Sequence, residues 1–277
     1  MAFAANSVLC RLALGGGAID AASFSTIRLL SGAVTLWLIV LILRKKPVSV
    51  KKGSWISATM LFLYAVTFSF AYISLSTGTG ALILFGAVQA TMLLAGLWSG
   101  ERPHLMQWGG LALALTGLVY LVFPGLTAPS PLGSVLMIVS GIAWGIYSVR
   151  GRRGADPVVV TGKNFIGAVP LAVLVSVVAF SSLELSAEGV MLAAVSGSVT
   201  SGVGYVVWYA ALRGLTSTRA AIVQLAVPVL AAAGGVVFLS EEISVRLLMA
   251  TAAILGGIGL TVLGRERIVH VREPGVD

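Results

Sequence analysis

Residues 75–103 read LSTGTGALILFGAVQATMLLAGLWSGERP, and residues 215–243 read LTSTRAAIVQLAVPVLAAAGGVVFLSEEI. Set against each other at an offset of 140 residues, the two stretches share one plan: a small polar start, an apolar run of bilayer-crossing length, and an acidic turn. Leu75 meets Leu215, Ala81 meets Ala221 and Glu101 meets Glu241. Beyond the turn, Ala112 meets Ala252, Leu115 meets Leu255, Gly117 meets Gly257 and Val122 meets Val262. These identities are sparse, so the shared order of span, acidic turn and glycine-containing span carries the comparison. Two copies separated by an odd number of spans enter the bilayer in opposite senses. Such inverted repeats recur in secondary transporters, with the substrate site near the midplane between the halves.

Working outward from these stretches, the whole 277-residue chain has the composition of a membrane protein. Hydrophobic residues make up 58% and charged residues 10%, with a mean hydropathy of +1.02. A soluble domain carries roughly 25% charged residues, which this chain lacks for covering its surface. Apolar runs lie at about 21–43, 54–75, 79–98, 105–123, 132–149, 158–180, 190–212, 220–239 and 245–263. Each is long enough to cross a hydrocarbon core of about 30 Å as a helix. Glycine and proline gather at the breaks, although Pro170 and Pro228 fall inside spans. The predicted class is an all-α integral membrane protein.

The opening run, MAFAANSVLCRLAL before three glycines, is too short to cross. It lacks the basic start of a signal peptide and carries Asn6 and Arg11 inside its apolar stretch. The 140-residue offset places FAANSVL (3–9) over AWGIYSV (143–149), within a full span. The run is therefore expected to be the first of ten helices, cut short at its N-terminus, with about six to ten further apolar residues encoded upstream. That gives a first five-helix repeat over 1–124, a second over 132–264 and a tail over 265–277.

The net charge of +8 is explained by position along the chain. Arg44, Lys45, Lys46, Lys51, Lys52, Arg102, Arg150, Arg152, Arg153, Arg213, Arg219, Arg265, Arg267 and Arg272 all fall on the side that holds both termini. The opposite connections carry Arg246 alone, with Asp20, Glu184, Glu188, Glu241 and Glu242. This bias predicts an inner-membrane protein with both termini cytoplasmic, and it accounts for the basic charge without a nucleic-acid partner. The single cysteine, Cys10, excludes an intrachain disulfide.

Three stretches carry a family resemblance. VPVLAAAGGVVFLSEEIS (227–244) followed by LLMATAAILGGIGLTVL (247–263) resembles the closing motif of the EamA family of the drug/metabolite transporter superfamily. SGERPHLMQWGGLALALTGLVYLV (99–122) resembles its first-half copy, and AASFSTIRLLSGA (21–33) is similar to the family's second-helix Arg motif. The resemblance implies ten helices in two inverted five-helix halves and export of small metabolites or amino acids across the inner membrane. One departure stands out: the family often has a Trp-Gly pair in its first helix, where this chain has Ala4-Ala5, while Trp144-Gly145 fills the equivalent place in the second half.

No acidic residue lies in the middle of a span, so the carboxylate proton site of many proton-driven carriers has no obvious counterpart. Transport down a substrate gradient, or exchange, is the expectation. No metal, cofactor, P-loop or hydrolase motif appears, which argues against an enzyme. Glu101 and Glu241 read as helix-end residues.

The expected substrate-binding residues are Asn6, Arg28, Tyr72, Gln89, Trp144, Tyr147, Asn164, Tyr205, Tyr209 and Gln224, with Pro228 as a gating bend. For Arg28 two readings stand side by side: snorkelling outward, towards Asp20, or anchoring a substrate carboxylate. Arg11 and Lys163 lie near span ends, where snorkelling is the simpler reading. Buried amides serve helix packing as readily as a ligand, and the aromatic rings serve an interfacial belt as readily as a cavity wall. Pro228 bends its helix beside Gln224, whereas Pro170 is expected only to kink a peripheral span. The glycines and serines of GIAWG (141–145) and SGSVTSGVG (196–204) read as close-packing faces. The expected partners are a small-molecule substrate and the lipid bilayer, with a homodimer left open. The rival from another class is a non-transporting membrane scaffold or receptor subunit, which predicts no polar and aromatic cluster between the halves.

Overall fold

A computed structural model describes residues 1–43, 54–98, 105–125, 128–151, 157–212 and 217–272. The described residues fold into helices: α1 (Ala2–Gly15), α2 (Ala21–Leu43), α3 (Trp55–Tyr72), α4 (Thr77–Trp98), α5 (Leu105–Val122), α6 (Pro131–Gly151), α7 (Pro157–Val178), α8 (Ala187–Val195), α9 (Gly204–Leu212), α10 (Ser217–Leu239) and α11 (Val245–Arg272). A π-helical segment, Ser196–Val203, joins α8 to α9 without a break. Among the described residues, eight stretches are long and apolar enough to cross a membrane, and α1 and Ala226–Leu239 form shorter apolar helices. In a bilayer core each backbone N–H and C=O must be satisfied inside the segment, which is why an apolar chain of this kind becomes helical throughout. The protein is a multi-pass helical membrane protein.

Lipid exposure marks the outer face of the bundle. Along α2, Leu30, Val34, Trp37 and Leu41 are exposed, while Phe24, Arg28, Leu29 and Leu36 are buried. Pro170, on α7, joins Trp37 and Val34 along an outward-facing apolar groove at the periphery of the bundle.

Small residues set the inner packing. Helices α5 and α11 lie along one another, as do α2 and α7. A Cβ at Gly257 would run into the carbonyl of Gly110 and come within 2.6 Å of the Ala114 amide, while one at Gly117 would come within 3.0 Å of Ile254. The contact is reciprocal: Gly117 faces Ile254 and Gly257 faces Ala114. Elsewhere α6 packs on α3 and α4, with Gly141 against Leu84 and Ala87, and α1 packs on α10 and the π segment. Without a solvent-driven hydrophobic force between helices, such close backbone approach is the main source of association in lipid.

One end of the bundle is closely tied. The glycine turn after α1 uses a left-handed Gly17 (φ 66°), and Ile19 pairs with Leu185 across to the connection before α8. Asp20 begins α2 by accepting from the Ser23 amide at 2.8 Å, and its other oxygen accepts from the Glu184 amide at 3.3 Å. After α10 the chain turns through Ser240 in the left-handed region (φ 53°), which brings Glu241 back under α4. There its carboxylate accepts from the Thr77 amide at 2.8 Å and from the Thr77 hydroxyl at 3.1 Å. This is a carboxylate at a helix N-terminus, where orphan amides and the helix dipole both favour it. Glu241 is thus a helix-end residue, as its position in the sequence suggests; Glu101, its counterpart, lies outside the described residues.

Candidate functional site

Among the described residues, Arg28 is the most buried charge. It stands about 10 Å along α2 from the helix start, by the rise per residue, and is only 2% exposed. It does not snorkel, and Asp20 does not hold it, since both Asp20 oxygens are taken by backbone amides. The guanidinium turns inward. Its Nη2 donates to the Tyr64 hydroxyl at 3.0 Å and its Nε to the Ser201 hydroxyl at 3.3 Å. Its carbon lies 5.2 Å from the Tyr64 ring centre and 5.1 Å from that of Phe68. The third nitrogen, Nη1, is buried without a hydrogen-bond partner. A cation in this setting is costly unless a counter-charge completes its shell.

The rings around it form one connected cluster. Tyr64, Phe68 and Tyr72 recur every four residues on α3 and so share a face. Tyr64 lies 4.8 Å from Trp144, which in turn stands 5.5 Å from Tyr147 and 5.2 Å from Tyr205. Phe3 closes against Trp144 and Tyr205, and Phe165 against Tyr205. Tyr72 sits at the edge: its ring meets Phe68 at 4.7 Å, but its hydroxyl donates to the Thr77 carbonyl in the tied end of the bundle.

Two amides border the cluster. Asn6, 2% exposed on α1, accepts at Oδ1 from the Ser196 hydroxyl at 2.6 Å and the Thr200 hydroxyl at 3.2 Å. Asn164, 3% exposed on α7, donates from Nδ2 to the Tyr147 hydroxyl at 3.4 Å, and its Oδ1 has no partner.

The π segment explains why these polar groups converge. Its wider turn, with i→i+5 bonding, departs from the rotation of an α-helix, and such turns frequently stand at functional sites. Here it faces Ser196 and Thr200 to Asn6 and Ser201 to Arg28, all three buried. Gly197 makes this possible, because any Cβ there would collide with the Ser31 hydroxyl and the Arg28 carbonyl. The glycines and serines of 196–204 therefore build a polar wall as well as a packing face.

The structure thus brings Asn6, Arg28, Trp144, Tyr147, Asn164 and Tyr205 together, with Tyr72 at the margin. It leaves Gln89 apart: that side chain lines a cleft of about 10 Å³ among Gly86, Leu111, Ala114, Ile258 and Thr261, room for about one water. Gln224 is half-buried on α10, and Pro228 is buried four residues on, within a helix that continues through it. The side chain of Tyr209 lies outside the described residues. Tyr64, Phe68 and Ser201 are the additions; the four-residue spacing of Tyr64, Phe68 and Tyr72 is the signal that marks the first two.

The described residues thus form a multi-pass helical bundle that buries a cation, aromatic rings and amides between its helices. The sequence matches the EamA-like transporter family over residues 131–263. An uncharacterized protein of Pseudomonas aeruginosa is 49% identical over 96% of this chain and 92% of its own. A protein of Escherichia coli named as a probable amino-acid metabolite efflux pump is 23% identical, covering 74% of this chain and 77% of its own. One crystal structure, 21% identical, has the same fold, with a TM-score of 0.67 over 95% of this chain and 97% of that one. The chain belongs to the EamA-like transporter family.

Proposed function

We propose that this protein is an inner-membrane secondary transporter that exports a small metabolite or amino acid by alternating access. The observation that carries the reading is Arg28, a buried guanidinium with one nitrogen unpartnered, facing a ring cluster built by α1, α3, α6, α7 and α9. A solute carboxylate would complete that shell through a charge-assisted pair, while the rings would hold its apolar part. The name of the Escherichia coli relative agrees with an amino-acid-like cargo.

Alternating access here means two inverted five-helix halves of a ten-helix bundle rocking about the central site. The reciprocal contacts of Gly117 with Ile254 and Gly257 with Ala114 support this reading, because they exchange under the 140-residue offset of the repeat. Paired contacts of that kind are the mark of a two-fold relation. The distribution of Lys and Arg supports a cytoplasmic location for both termini, which would make the tied end the outer end.

The test is flux. Purified protein in liposomes should take up labelled amino acids or related organic acids saturably and show counterflow when the lumen is preloaded. Folded protein that moves no solute across a broad panel would favour the scaffold or receptor-subunit reading.

A further inference from the structure

Arg28 is not alone in being incomplete. Besides Nη1 of Arg28, a cationic donor, Oδ1 of Asn164, a neutral acceptor, is buried without a partner in the same cluster. Each side chain is held in place by its remaining bonds, Arg28 by Tyr64 and Ser201 and Asn164 by Tyr147. Buried polar atoms left unpaired carry a desolvation cost that a ligand can remove.

Their placement specifies a ligand. A continuous chain of rings runs between them, Arg28 against Tyr64, Tyr64 against Trp144, Trp144 against Tyr147, and Tyr147 on Asn164. A second route, through Tyr205 and Phe165, reaches the residue next to Asn164. Trp144 and Tyr147 are stacked, with an interplanar angle of 30°, and a flat body can add to such a stack through its own face or edge. The described acidic residues sit at helix ends and connections, so the Asn164 end offers a carbonyl oxygen where a desolvated ammonium would need a carboxylate.

We propose that the preferred solute is a flat organic acid with an uncharged hydrogen-bond donor at its far end, its carboxylate on Arg28 and its distal O–H or N–H on Asn164 Oδ1. The inference rests on the transport reading above and deepens it by naming the two ends of the cargo. Contacts among Tyr64, Trp144, Tyr147 and Tyr205 are exchanged for contacts with the solute ring. A site that expects a donor discriminates against an analogue lacking one, since the acceptor is then left buried and unpaired.

Three probes of one shape test this on the purified full-length protein: 4-hydroxyphenylacetate, phenylacetate without the distal donor, and tyramine without the carboxylate. Binding is read by ligand-dependent thermal stabilisation and by inhibition of counterflow. The expected order is 4-hydroxyphenylacetate about tenfold or more tighter than phenylacetate, with tyramine weakest. Asn164→Leu should bring 4-hydroxyphenylacetate down to the level of phenylacetate. Equal binding of the two acids by the native protein would overturn the inference, and this comparison needs no variant to fold. So would a protein that transports other solutes but binds neither acid. In both cases the transport reading stands or falls separately, on flux.

Discussion

Arg11 and Arg28, each on an apolar helix of the bundle, are treated in opposite ways. Arg11, on α1, donates through Nη1 to the carbonyls of Tyr72 and Ile73 at 2.9 and 2.8 Å and stands 3.5 Å from the Glu241 carboxylate. Glu241 in turn caps α4 through Thr77, so this charge joins α1, α3, α4 and the turn after α10. Arg28 is more deeply buried, yet it has hydroxyls in place of a carboxylate and one nitrogen with no partner. A charge paired with a carboxylate ties the fold together. A buried charge left one partner short costs stability, and on the transport reading proposed above a solute carboxylate would supply that partner.

The difference gives the two residues predictions of opposite sign. Arg28→Met removes an under-satisfied buried charge while keeping a long, flexible side chain. It should weaken binding of carboxylate solutes by about a hundredfold, the scale of a lost charge-assisted bond, without lowering the melting temperature. Loss of folded protein in this variant, judged by size-exclusion behaviour, would erase the contrast with Arg11. Glu241→Gln should do the reverse. It removes the counter-charge of Arg11 and weakens the α4 cap, costing about 1–3 kcal/mol in stability. The melting temperature should fall, while relative preference among solutes stays as in the native protein. The smallest effect is expected for Ser201→Ala, which takes one neutral partner from the Arg28 Nε. Affinity for a carboxylate should change only a few-fold, on the scale of about 1 kcal/mol for a single hydrogen bond. Titration of each probe by thermal shift reads all three variants.

The comparison also shows where sequence reading succeeds. The cost of a mid-span arginine singles out Arg28 before any coordinates, and the short polar side chains of Asn6 and Asn164 are conspicuous in the same way. The direction in which Arg28 points is not legible, because Asp20 lies within reach along the chain and only the tied end of the bundle shows its oxygens already engaged. Gln89 fails for a related reason. It stands out as a buried amide, but its register on α4 turns it towards α5 and α11 and away from the rings. In a soluble helix a polar face would betray which side is buried. In lipid the outer face is as apolar as the core, so that signal is weak and tertiary packing must supply it. The π segment is less legible still, since a change in helical pitch leaves no hydropathy mark.

By itself the sequence determines that this chain is a helical membrane protein, where its spans lie and which residues are too polar to be there without a reason. Hydrocarbon imposes those rules on every residue individually, so a single chain suffices to read them. Only the tertiary structure decides which polar residues meet. It ties Arg11 to the Glu241 carboxylate and two carbonyls, and it leaves Arg28 and Asn164 each with a buried atom unpartnered at a shared cluster of rings. That distinction depends on partners 36 and 173 residues away from Arg28 along the chain, which helix packing alone brings within reach.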